Sequence, residues 1–157
     1  MLLIEAARIT SGGGGVLGAY LFKKLVESGT DFRAVISPAF DVGSLPEKYF
    51  IREEISLFNR KRLYAAWVDQ LRPATILCFG NFPPAQKFKG VRVVTYFHRL
   101  TLTQANYRAD LSVVQNLSYF LKRKYLKYLI GNTDEIAVQT EQTSVVIQHS
   151  LGVKRSD

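Results

Sequence analysis

A chain of 157 residues, 47% of them hydrophobic, is the size of one domain and has the apolar side chains for a core, which excludes a disordered polypeptide. Lys and Arg number 21 against 13 Asp and Glu, so the net charge of +8 invites phosphate groups, nucleic acid or an anionic membrane face without choosing among them. No apolar run approaches the ~20 residues that span a bilayer. The start Met1-Leu2-Leu3-Ile4-Glu5 lacks the basic region of a signal peptide, and the single Cys78 has no partner for an intrachain disulfide, so a cytoplasmic protein is expected.

In chain order, residues 2–7 read as a first strand buried on both faces. Ser11-Gly12-Gly13-Gly14-Gly15 follows as a turn without β-carbons, whose backbone N–H groups can approach a ligand closely. Residues 16–29 are predicted as the first helix, with Gly18, Leu21, Phe22 and Leu25 on its core side, Lys23, Lys24 and Glu27 opposite, and Gly29 as its stop. A strand, a glycine turn and a helix start together make an anion site, usually for phosphate. Residues 32–36 form a second strand ended by Ser37-Pro38, 39–48 read as loop, and 47–55 leave room for a short extra strand.

Asn59 is the expected N-cap of a second helix carrying Leu63, Ala66, Trp67, Gln70 and Leu71 at helical spacing, with Pro73 closing it. Residues 75–79 make a third strand, with Cys78 as a buried core thiol, before the turn-rich Gly80-Asn81-Phe82-Pro83-Pro84. Residues 91–97 make a fourth strand with His98 directly after it, and 100–110 are polar without a clear assignment. A long helix spans 111–129, its face of Leu117, Leu121, Tyr125, Tyr128 and Leu129 expected to pack on the sheet or a neighbour, with Gly131-Asn132 as the stop. A fifth strand at 135–138 and a last helix at 143–151 complete the chain, and His149 in that helix reads as structural. Strands alternating with helices predict an α/β fold, a Rossmann-like, doubly wound and mainly parallel sheet.

Gly13-Gly14-Gly15-Val16-Leu17-Gly18 satisfies G-x-G-x-x-G, the dinucleotide fingerprint. Against that reading, Arg8-Ile9-Thr10-Ser11 separates strand from glycines, and Val35-Ile36-Ser37-Pro38 puts no acid where a ribose hydroxyl would be read. A ligand-free turn stays open beside both functional readings. His98, at the carboxyl end of a parallel strand, faces the crevice where doubly wound folds bind ligands, or is an ordinary surface or core histidine. Lys122, Arg123, Lys124 and Lys127, interleaved with aromatics, read as a solvated face or as a dock for anionic lipid headgroups. No nucleic-acid-binding module is recognisable, and nucleic acid is not expected as a partner. H-E-x-x-H, C-x-x-C, G-x-x-x-x-G-K-[ST] and G-x-S-x-G are absent, and no metal is expected.

Ser11 to Val16 after the first strand resembles the opening loop of the retaining glycosyltransferases of family 4, which have the GT-B fold. Thr95-Tyr96-Phe97-His98 is similar to that family's strand and histidine. Arg123 to Leu129, followed by Asn132-Thr133-Asp134-Glu135-Ile136-Ala137-Val138-Gln139-Thr140, is similar to its long helix running into N-x-D-x-I-x-V-Q-T, and Ser144 to Lys154 resembles the next helix and the exit toward a second domain. The resemblance covers nearly the whole chain, in order.

It implies that residues 1–157 are the N-terminal, acceptor-side domain, and that the donor-binding C-terminal domain with its E-x7-E segment lies elsewhere, on the same polypeptide or on a partner subunit. Alone, the chain should be inactive. The resemblance further implies a nucleotide-sugar as substrate, no other cofactor, and a saccharide or lipid-linked acceptor. It places the backbone of Gly12, Gly13, Gly14 and Gly15 toward the donor diphosphate or the reacting centre, and His98 on the donor sugar as an orienting group. Asn81, Tyr96 and Arg99 are expected near the acceptor, and Thr140 and Glu141 at the mouth of the fifth strand. Inverting GT-B enzymes often carry a histidine base in the loop after strand one. Residues 8–11 hold none, so retention is favoured.

Overall fold

The computed structural model describes residues 1–9, 12–97 and 112–152. Six strands, β1 (Leu2–Ala6), β2 (Phe32–Ile36), β3 (Phe50–Arg52), β4 (Thr75–Cys78), β5 (Arg92–Phe97) and β6 (Glu135–Val138), form one sheet in the order β3-β2-β1-β4-β5-β6. All five pairings are parallel. The helices are α1 (Gly12–Glu27), α2 (Arg60–Leu71), α3 (Val113–Leu129) and α4 (Glu141–Leu151). The fold is α/β and Rossmann-like. The chain leaves β1 toward β2 on one side and returns to β4 on the other, so the strand order reverses between β1 and β4. In open parallel sheets ligands bind above such a reversal, outside the carboxyl ends of the strands.

Alternation along the strands builds two layers. Ile4, Ala6, Ala34 and Ile36 meet Phe22 of α1 and Phe40, while Leu3, Val35, Ile76, Cys78 and Val93 meet Tyr64 and Trp67 of α2. A third cluster joins Phe82 and Phe97 to Leu126 and Leu129 of α3 and to Ile147 and Leu151 of α4. Helix ends follow their local chemistry. Gly29 (φ +66°) closes α1, with its N–H on the Val26 carbonyl and the Thr30 N–H on the Leu25 carbonyl, both at 3.1 Å. Ser112 and Gln115 form a reciprocal capping box at the start of α3.

Three local expectations differ from the structure. The glycines do not precede α1 but form its first turn, because α1 begins at Gly12. The apolar stripe of Gly18, Leu21, Phe22 and Leu25 packs against the sheet layer, and tertiary packing outweighs the low helix propensity of glycine. Asn59 does not cap α2: its side-chain oxygen accepts from the Ser56 N–H at 2.7 Å and its amide donates to the Glu54 carbonyl, closing the preceding turn instead.

The expected core face of α3 is largely turned outward. Leu117, Leu121 and Tyr128 are 57, 57 and 78% exposed, whereas Leu126 and Leu129 are buried. Of the expected face only Tyr125 and Leu129 pack inward. The helix carries apolar residues on two arcs, and Phe82, Phe97, Ile147 and Leu151 select the arc of Leu126.

Candidate functional site

Above the β1/β4 reversal, β1 runs into a tight turn in which the Ile9 N–H reaches the Ala6 carbonyl at 3.0 Å. Arg8 at its tip is exposed, and its guanidinium carbon stands 5.6 Å from the centroid of the Phe82 ring. Gly80 lies against this turn: a β-carbon there would stand 3.9 Å from that of Arg8. α1 starts on the same rim. Gly12 holds φ +67°, a conformation that favours glycine, and β-carbons on Gly12 or Gly13 would meet nothing within 4 Å. No acidic residue stands in the first turn of α1, so the helix supplies no carboxylate of its own to offset its positive end. Gly18 packs on Phe40 and Phe79, and Phe79 stacks on Tyr96 with ring centroids 5.0 Å apart.

Topology puts the start of α1, the Arg8 turn and the carboxyl end of β5 with Tyr96 on one edge of the sheet. The packing toward Phe79, and through it Tyr96, is made by Gly18, and Arg8 is a cation that the sequence presents only as part of a spacer. Gly12 and Gly13 are exposed, and Gly14 and Gly15 half-buried. Asn81 follows β4 but is buried, with φ +66°, a left-handed conformation that Asn tolerates better than most residues. Thr140 and Glu141 reach the same rim two strands away from the reversal. There the Thr140 hydroxyl accepts from the Thr143 N–H at 3.2 Å as the N-cap of α4, and Glu141 occupies that helix's first turn. Ser11, His98 and Arg99 lie outside the described residues; β5 ends at Phe97.

A buried polar cluster supports the crevice from below. Glu5 of β1 and Arg60, the first residue of α2, are both fully enclosed and paired at 3.2 Å. Arg60 Nη2 also reaches the carbonyls of Phe82 at 2.7 Å and Pro83 at 3.1 Å, and the Tyr64 hydroxyl donates to Glu5 Oε2 at 3.0 Å. Among the described residues, Glu5 Oε1 and Arg60 Nε and Nη1 have no hydrogen-bond partner. Burial opposes the charge on Arg60, but Tyr64 and Glu5 outweigh it and hold its proton more tightly than usual. Burial raises the Tyr64 hydroxyl well above its ordinary value. Burial, reinforced by Glu5, pushes the Cys78 thiol up to about 12, so it stays protonated at neutral pH and is no nucleophile. The legible signal for this cluster is a lone carboxylate inside a strand that reads as buried on both faces, which requires an enclosed cation.

A cavity of about 340 Å³ lies at the opposite, amino-terminal edge, lined by Lys87, Phe88, Arg92, Asn132 and Asp134 among others, and does not coincide with the crevice. Among the described residues no group of three or more His, Cys, Asp or Glu could hold a metal ion, and no helix is long and apolar enough to cross a membrane. No protein-family model, curated protein or solved structure matches the chain.

Proposed function

We propose that this chain is the acceptor-side, N-terminal domain of a retaining glycosyltransferase of family 4 that takes its sugar from a nucleotide-activated donor. The observation that carries the phosphate side of this reading is the exposed Arg8 and a glycine-started helix on the same carboxyl edge of the sheet, at the strand-order reversal. A hydrogen bond from a charged donor contributes roughly 1.5–3 kcal/mol, against ~0.3–1 kcal/mol from a helix end, so Arg8 does more than the helix to hold a diphosphate. The backbone N–H groups of Gly13, Gly14 and Gly15 would add preorganised dipoles where charge develops on the departing nucleotide. The transferase assignment itself rests on the resemblance of Ser11 to Val16, Thr95 to His98 and Arg123 to Thr140 to that family, which gives His98 an orienting role on the donor sugar.

The test is sugar transfer from a panel of nucleotide-sugars, with the chain alone and together with the polypeptide encoded directly downstream. Transfer with retained anomeric configuration is expected only when a second αβ domain is supplied, with His98→Ala slowing turnover about a hundredfold. Transfer unaffected by His98→Ala would remove that residue from the site. The second reading, a phosphate- or nucleotide-binding module without catalysis, is favoured by the same Arg8 geometry. It takes over if phosphate is bound and no donor is ever used.

A further inference from the structure

The segment after β4 is tied down from several sides. Arg60 Nη2 donates to the Phe82 carbonyl at 2.7 Å and to the Pro83 carbonyl at 3.1 Å, and the Asn132 side-chain amide donates to the Pro84 carbonyl at 3.0 Å. Successive carbonyls are thus taken by side chains from distant parts of the chain, and Pro83 and Pro84 fix their own φ angles. The Phe82 ring is enclosed as well. It packs with Phe97 and Leu126, and its centroid lies 6.1 Å from that of Tyr125. What this ring offers toward the crevice is a surface for Arg8, whose guanidinium carbon stands 5.6 Å from its centroid. Among the described residues Arg8 makes no ion pair, and its head group rests against the ring instead.

We propose that Phe82 is a positioning residue of the crevice: its ring seats the Arg8 guanidinium, and the bonds from Arg60 and Asn132 fix the place of that ring. The proposal rests on the reading of Arg8 as the cation that holds phosphate. An aromatic ring attracts a guanidinium within about 6 Å of its centroid. The ring engages the face of the cation, whereas a phosphate takes the N–H groups at its edge, so seat and ligand do not compete. An exposed arginine without a seat gives up its rotamer freedom when the anion arrives. A seat that has already restricted it removes part of that cost. The ring serves this purpose only if its own position is set, which the carbonyl bonds achieve. Arg60 therefore acts on the anion from a distance: it is enclosed with Glu5 and reaches the site only through residues 82 and 83.

Pyrophosphate titrations of the parent, Phe82→Leu, Arg8→Ala and the double variant test it, with circular dichroism to check that each is folded. Arg8→Ala is expected to weaken binding about tenfold, and Phe82→Leu about two- to fivefold. Once Arg8 is gone, Phe82→Leu should cost nothing further, an outcome that a merely structural role for the ring does not produce. A second measurement needs no substitution: nuclear Overhauser contacts between the Arg8 side chain and the Phe82 ring should persist in the parent when pyrophosphate is bound. Parent-like binding by Phe82→Leu, an equal loss in the Arg8→Ala background, or disappearance of those contacts in the bound chain overturns the proposal and leaves the anion site standing. Arg8→Ala binding as tightly as the parent removes the anion reading itself, and the seat with it.

Discussion

A β-carbon at Gly13 would meet nothing within 4 Å, and the residue sits in the first turn of α1. Internal packing therefore gives no reason for glycine there, and helix propensity argues against it by about 1 kcal/mol relative to alanine. On the proposed reading, a ligand that must approach the backbone closely would supply the reason that the fold does not. Gly13→Ala is accordingly expected to raise stability by ~0.5–1 kcal/mol, a melting-temperature gain of roughly 1–4 °C, and to weaken pyrophosphate binding. Unchanged binding in a stabilised variant would show that the missing side chain serves no ligand. Gly12 is different, because its φ of +67° is itself a demand for glycine. The two neighbours thus separate a conformational role from a clearance role.

Between elements, Arg60 is the principal cross-tie. One guanidinium joins the start of α2 to Glu5 in β1 and to the carbonyls of Phe82 and Pro83 in the segment that walls the crevice. Removing one member of an enclosed ion pair leaves the other charge without compensation, which costs about 3–5 kcal/mol. Arg60→Ala should lose that much in urea unfolding, and a loss under ~1 kcal/mol would mean the pair is not enclosed as described. This cross-tie is hard to read from sequence because its partners are 55 and 22 residues from Arg60 along the chain. Periodicity reports local faces and not long-range pairing. The same limit explains α3, where two apolar arcs of similar quality share one helix and only the positions of Phe82 and Phe97 decide which is inside. Residues 47–55, by contrast, leave room in the sequence for a short extra strand, and β3 stands within them at Phe50–Arg52.

For the whole molecule, alternation of strand and helix patterns is sufficient for the α/β class and the parallel sheet, because parallel strands need crossovers and the spacing supplies them. The location of the crevice then follows from strand order, since both the glycine turn and the loop after β4 leave the sheet at its carboxyl edge. The position of Arg8 is not legible in the same way, because an arginine between a strand and a glycine run looks like a spacer until Phe82 and Gly80 are seen beside it.

The central claim, that the β1/β4 crevice is an anion site, is tested most directly by titrating the isotope-labelled chain with pyrophosphate and following backbone amides by NMR. The largest shifts are expected at Arg8 and at Gly12, Gly13, Gly14 and Gly15, with Arg8→Ala weakening the binding by about tenfold or more. Largest shifts around Lys87, Gly90 and Arg92 at the opposite edge, or binding undiminished in Arg8→Ala, would contradict it.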